Sequence, residues 1–184
     1  MTYYGAKDIA ASFRTVRNNT LKIAEEIPED KFSFRAAEGT RTVGELLTHI
    51  ALGTTFNEQI NLTEKRTTME GFDFMKFMGP LMAEQSKPRT KAEIIALLQE
   101  RGENFAKTVE GLSDDFLGQS ITMPPGGAPP SRSRFDMLIS SKEHEMHHRG
   151  QLMLIQRMIG ITPHLTREQQ ARMEAMQAKA AQRA

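Results

Sequence analysis

Of the five histidines in the chain, three fall within "HEMHH", at His144, His147 and His148. The others are His49, inside "GELLTHIAL", and His164, which follows Pro163. Imidazole is the side chain best suited, near neutral pH, to bind a borderline transition metal or to exchange a proton. On a helix a His-x-x-x-His pair lies one turn apart, so His144 and His148 can offer two rings to one ion from a single face. A third imidazole from a facing helix completes a three-nitrogen set. Such a set leaves at least one coordination position open, as catalytic zinc sites do and closed structural sites do not.

These histidines lie where a helix should bury apolar groups. At about 100° per residue, with His144 at zero, Met137 and Ile155 fall at about 20°, His148 at about 40°, Ser141 and Ile159 at about 60° and Leu152 at about 80°. His147 falls about 60° to the other side, at the margin of the stripe. With His49 at zero, Ile60 falls at about 20°, Gly53 at about 40°, Leu46 at about 60° and Phe56 at about −20°. His49 is therefore expected on a buried face, and Gly53 one turn on leaves room beside its imidazole. The alternative is a helical scaffold whose core histidines are satisfied by carbonyls or carboxylates and hold no ion.

Four helical segments must position these residues. The first, from about Asp8 to Ile27, carries Ile9, Phe13, Val16, Thr20, Ile23 and Ile27 on one stripe and is stopped by Pro28. The second opens with Thr42 and Glu45 and continues at helical spacing through Leu46, His49, Gly53, Phe56 and Ile60; the third opens with Thr90 and Glu93, and both starts are capping-box patterns. The third carries Ile94, Leu97, Leu98, Phe105 and Val109 as far as Gly111. The fourth opens near Ser133 and Asp136 and runs to Gly160, with Pro163 beyond as a stop. No stretch alternates with period two long enough to argue a sheet. The long connection between the second and third helices, containing "MEGFDFMKFMGPLM", is expected to cross the bundle, with its aromatic run as core or packing filler, or as a mobile lid over a pocket. "MPPGGAPPSRS" is expected to be an irregular loop. The expected architecture is an all-α four-helix bundle over residues 1–165, followed by a helical tail over 166–184. His164 is expected at the surface, and Glu145 and Arg149 as solvated or paired charges.

Composition excludes several classes. Lys plus Arg number 24 against 23 for Asp plus Glu, so the basic excess of a nucleic-acid groove is missing. With no cysteine there is no disulfide framework and no thiolate site, and any sulfur nucleophile must arrive from outside. No apolar run is long enough for a signal peptide or a membrane span, which leads us to expect a cytoplasmic protein.

"TRTVGELLTHIA" (40–51) and "HEMHHRGQLMLIQRMIG" (144–160), with "KFSFRAAEGTRTVGELL" leading into the second helix, resemble the DinB-like family of bacterial metal-binding four-helix proteins. The resemblance spans roughly Ile9 to Pro163. It implies an up-down-down-up bundle and a divalent ion, commonly nickel or zinc, on His49, His144 and His148, with solvent completing the sphere. It further implies a homodimer acting on a small molecule, with no DNA binding despite the family's name. Some relatives are transferases or isomerases that use low-molecular-weight thiols such as bacillithiol or mycothiol, and others are hydrolases.

The leading expectation is thus a metal-dependent thiol S-transferase or hydrolase. The ion would stabilise a cosubstrate thiolate or lower the pKa of water. Ser141, Glu145 and His147 lie near enough in sequence to supply an acid or base. The alternative is a non-catalytic metal-binding stress protein. No residue set for a thiol's sugar or carboxylate groups is evident in the chain.

Overall fold

The computed structural model describes residues 4–182, so positions 1–3 of the expected bundle and 183–184 of the expected tail lie outside the described residues. Helix α1 (Ala6–Glu26) buries Ile9, Phe13, Val16, Thr20 and Ile23 along the expected stripe. It ends where Pro28 forces Ile27 into extended backbone. Helix α2 (Val43–Leu52) starts on the expected cap: Glu45 N–H donates to Thr42 Oγ1 (3.2 Å) and Thr42 N–H to a Glu45 carboxylate oxygen (2.7 Å). The stripe past Gly53 is not one continuous helix. The chain breaks at Gly53, forms a single turn α3 (Thr55–Asn57) and then a π-helical segment, Glu58–Thr63.

The crossover holds a helix of its own, α4 (Phe74–Gln85), capped by Asp73. No residue of α4 is buried, and of the aromatic run Phe72, just before it, packs against the cluster of Ile60, Met69, Ile121 and Met137. Phe72, Phe74 and Phe77 all pack edge-on against Phe56, and Phe72 and Phe77 tilt against each other, while Phe74 is half exposed and Met75 faces solvent. Helix α5 (Lys91–Glu110) repeats the capping box through Thr90 and Glu93. A short α6 (Asp114–Gly118) leads to a hairpin of β1 (Ser120–Thr122) and β2 (Ser131–Ser133). Three-residue strands are too short to announce themselves by alternation. Helix α7 (Arg134–Met158) is capped by Ser133, and α8 (His164–Ala181) follows Pro163.

Pairwise contacts fix the directions of the bundle helices. Between α1 and α5, Arg14 meets Glu103 and Arg17 meets Leu98, while Lys91 reaches Glu25 and Ile27, so these two run antiparallel. Between α1 and α7, Arg17 meets Glu145 and Glu26 meets Gln156: parallel. Between α2 with its continuation and α7, His49 meets His148 and Asn57 meets Ser141: antiparallel. Taking α1 as up, α2 and α5 run down and α7 up, the up-down-down-up order that the long crossover permits.

Two large apolar clusters are separated by a polar layer, and a third, smaller one gathers Ile60, Met69, Ile121 and Met137. Ile23, Ile27, Val43, Leu47, Ile50, Leu98, Leu152 and Ile155 fill one end. Ile9, Phe13, Phe105, Val109 and Leu138 fill the other. Between them lie Arg17 and Glu145, an ion pair at 2.9 Å with side chains 4% and 2% exposed. Arg17 also donates to the carbonyls of Leu98 (2.6 Å) and Ile50 (3.3 Å), so one guanidinium ties four helices together. Gly102 is small because Arg17 passes there: a Cβ would lie 2.8 Å from its Cγ. Glu145 is thus paired, but buried and not on a solvated flank.

Helix α8 lies mostly in solvent, tied to α1 by Lys22–Glu168 (2.7 Å) and Glu26–Arg167 (2.5 Å). His164 is not a surface residue. It is 1% exposed, with its Nε2 3.2 Å from Asn19 Oδ1. Its place at the foot of α8, pressed onto α1, is a tertiary fact that Pro163 conceals in the sequence.

Candidate metal centre

His49 projects from the last turn of α2, and His144 and His148 from successive turns in the middle of α7. The antiparallel packing of α2 on α7 brings their rings together. His49 Nε2 lies 3.0 Å from His144 Nε2 and 3.1 Å from His148 Nε2, and the latter two are 3.2 Å apart. His148 is buried, and His49 and His144 are half-buried. All three residues expected to converge do so.

The tautomers follow from the outer partners. His49 Nδ1–H donates to Gln85 Oε1 (3.2 Å) and His148 Nδ1–H to Gln151 Oε1 (2.9 Å), since an amide oxygen can only accept. Both rings then turn an unprotonated Nε2 lone pair inward, so two lone pairs face each other at 3.1 Å. Unless the Nε2–H tautomer of His144, whose Nε2 is 3.0 and 3.2 Å away, donates between them, these lone pairs repel. A cation between them removes that repulsion, so the residues fit a metal ion on their own chemistry. Gln151 is held in turn, its amide donating to His147 Nε2 at 3.3 Å. His147, exposed at the margin as the helical phase places it, orients the Gln that orients His148.

Burial also keeps the rings in the form a metal needs. Desolvation pushes His49 and His144 down to about 4 from the ordinary 6.5, and lowers His148 as well. The positive charge of Arg41 acts in the same direction on all three. Near neutral pH the imidazoles are therefore neutral.

Gly53 has a role in the site beyond flexibility. A Cβ there would lie 2.8 Å from His144 Nδ1 and 2.9 Å from its Cε1, so the ring occupies the space that the missing side chain leaves. The room it provides is for His144, from across the bundle, more than for His49 beside it.

Two clefts open beside the centre. One, of about 770 Å³, is bounded by His49, Thr48, Arg41, Met78, Met82 and Gln85. The other, of about 670 Å³, is bounded by His148, Gln151, Arg41, Leu46, Leu154 and Ile155. Of the side chains considered as acid or base, Glu145 is engaged by Arg17, Ser141 accepts from Asn57 Nδ2 (2.8 Å) and His147 accepts from Gln151. Gln85 was beyond reach of sequence reasoning, because it comes from the crossover. Gln151, three residues after His148 on the same helix, was visible as an i, i+3 neighbour.

Similarity to known proteins extends over most of the chain. The uncharacterized protein YjoA of Bacillus subtilis (strain 168) is 26% identical over 157 residues, covering 85% of this chain and 92% of that protein. The crystal structure of YjoA, a DinB-like protein, superposes with a TM-score of 0.61 at 23% identity, over 84% of this chain and 92% of that one. The structure of YfiT from Bacillus subtilis gives a TM-score of 0.65 at 16% identity, over 88% and 91% of the two chains. YfiT is described as a probable metal-dependent hydrolase with an unusual four-helix bundle topology. Residues 12–152 match the DinB superfamily, and the chain belongs to that family.

Proposed function

We propose that this protein is a divalent-metal-dependent enzyme, a hydrolase or a thiol S-transferase acting on a small molecule, with His49, His144 and His148 as the ligands. The observation that carries the proposal is the meeting of three Nε2 atoms within 3.0–3.2 Å of one another beside open clefts. Zinc or nickel suits an all-imidazole set. When bound, such an ion supplies Lewis acidity, lowering the pKa of a water or thiol delivered to it. The chain's own residues do the rest. Gln85 and Gln151 fix the ring orientations, Gly53 clears space for His144, and the Arg17–Glu145 pair locks α7 against α1 beside it. A cytoplasmic homodimer using a low-molecular-weight thiol is the context that the family resemblance favours.

A second proposal, a non-catalytic metal-binding stress protein, has one observation in its favour: Glu145, Ser141 and His147 are each engaged elsewhere. The deciding experiment is elemental analysis of protein purified without a nickel column, followed by a screen of esters, amides and electrophiles with several thiols. The enzyme predicts about one equivalent of metal per chain. It also predicts turnover that disappears in His49→Ala while cooperative unfolding survives. Metal with no turnover under any thiol favours the second proposal. Less than about a tenth of an equivalent, unrestored by added Zn²⁺ or Ni²⁺, defeats both.

A further inference from the structure

Arg41 immediately precedes the N-cap of α2 and is the one basic side chain bordering both clefts beside the histidines. It is exposed and, among the described residues, makes no hydrogen bond or ion pair. Its basic neighbours are all engaged. Arg35 pairs with Glu45 (3.2 Å), whose carboxylate also caps Thr42 N–H. Lys87 and Arg89 share Glu84. Lys91 donates to the carbonyls of Glu25 and Ile27, both at 2.7 Å. In the cleft beside His148 the charged lining is Arg35, Arg41 and Glu45, which leaves one positive charge unmatched. The rest of that wall is largely apolar, through Ala36, Leu46, Leu154 and Ile155.

We infer that Arg41 is the anion-recognising residue of the site, holding the carboxylate of a small substrate whose apolar body lies along the cleft of Leu46, Leu154 and Ile155. The inference rests on the functional proposal above for what then happens at the histidines. A planar guanidinium matches a carboxylate with two parallel N–H donors. One unmatched charge beside an apolar wall selects a monoanion with a hydrocarbon body.

The test compares benzoate with benzamide, its neutral isostere, by calorimetric or NMR titration of the zinc-saturated full chain. Benzoate is expected to bind about tenfold more tightly, the low end for a charge-assisted contact at a solvent-accessible site. Arg41→Gln removes that preference and Arg41→Lys keeps part of it, with zinc content and thermal midpoint unchanged in both. In His49→Ala the Arg41-dependent preference persists. Equal binding of the two probes by the native chain overturns the inference, and so does a preference that survives Arg41→Gln. A preference lost in His49→Ala but retained in Arg41→Gln assigns the carboxylate to the ion, and also overturns it. Arg41-dependent preference in a native chain that takes up no zinc supports the inference while defeating the metal proposal.

Discussion

Gly53→Ala should separate metal affinity from fold stability. The added Cβ would sit 2.8 Å from His144 Nδ1 and 2.9 Å from Cε1, against an ordinary contact of about 3.5 Å or more. The ring must therefore retreat by roughly 0.6 Å or more, well beyond the ~0.2 Å tolerance of a metal–ligand bond. Zinc affinity should fall about 10- to 100-fold, or about 1.4–2.8 kcal/mol. The fold has less to lose. Gly53 has φ −64° and ψ −17°, a conformation alanine adopts freely, so restricting the unfolded chain stabilises by about 0.4–1 kcal/mol. An off-rotamer imidazole costs about 0.5–1.5 kcal/mol in the other direction. Metal-free stability should thus change by less than about 1 kcal/mol, a shift of only about 2–4 °C in a chain of this size. Competition against a chelator of known zinc affinity reads the first quantity, and thermal unfolding of metal-free protein reads the second. Zinc affinity within twofold of the native value, or a metal-free protein destabilised by about 3 kcal/mol, would refute the reasoning.

Three further outcomes are expected. Gln85→Ala and Gln151→Ala each release one ring from its outer partner, and each should weaken zinc binding about tenfold in the same competition assay with little change in metal-free melting. Glu145→Ala leaves the Arg17 guanidinium buried without its carboxylate and should cost about 3–5 kcal/mol by urea denaturation, whereas Arg17→Met with Glu145→Leu should recover most of it. The third concerns pH. His49 and His144 are held at about 4 in the fold against 6.5 when unfolded, so between those values the unfolded chain binds more protons. Metal-free stability should therefore fall as pH drops from about 6.5 toward 4 and be insensitive to these groups above that window. The native protein should lose more stability between about pH 7 and 4.5 than the variant with Gln at positions 49, 144 and 148. An equal loss in both proteins would contradict the burial argument.

Much of the molecule is legible in local patterns. The stripe from Ile9 to Ile27, the capping boxes at Thr42 and Thr90, and the stops at Pro28 and Gly111 are each set by backbone and side-chain chemistry within a few residues. They place α1, α5, α7 and the start of α2 almost to the residue, but not the break at Gly53. The same phase argument put His49, His144 and His148 on buried faces, because a helix turns by a fixed angle per residue. The strands at 120–122 and 131–133 and helix α4 left no comparable trace. Three residues are too few to show a period, and α4 has no buried face to write one.

Whatever depends on distance across the bundle came from packing instead. Helical phase can say that an imidazole faces inward; it cannot say at what height along the bundle it meets another. Antiparallel packing of α2 on α7 sets that height and brings three Nε2 atoms together. The crossover delivers Gln85 to His49 from far along the chain. The Arg17–Glu145 pair joins residues 128 positions apart, in a layer that periodicity alone would have filled with hydrocarbon. Direction within an element is a property of the sequence because the helix is a regular object. Position between elements is a property of the packed whole, which no local pattern encodes.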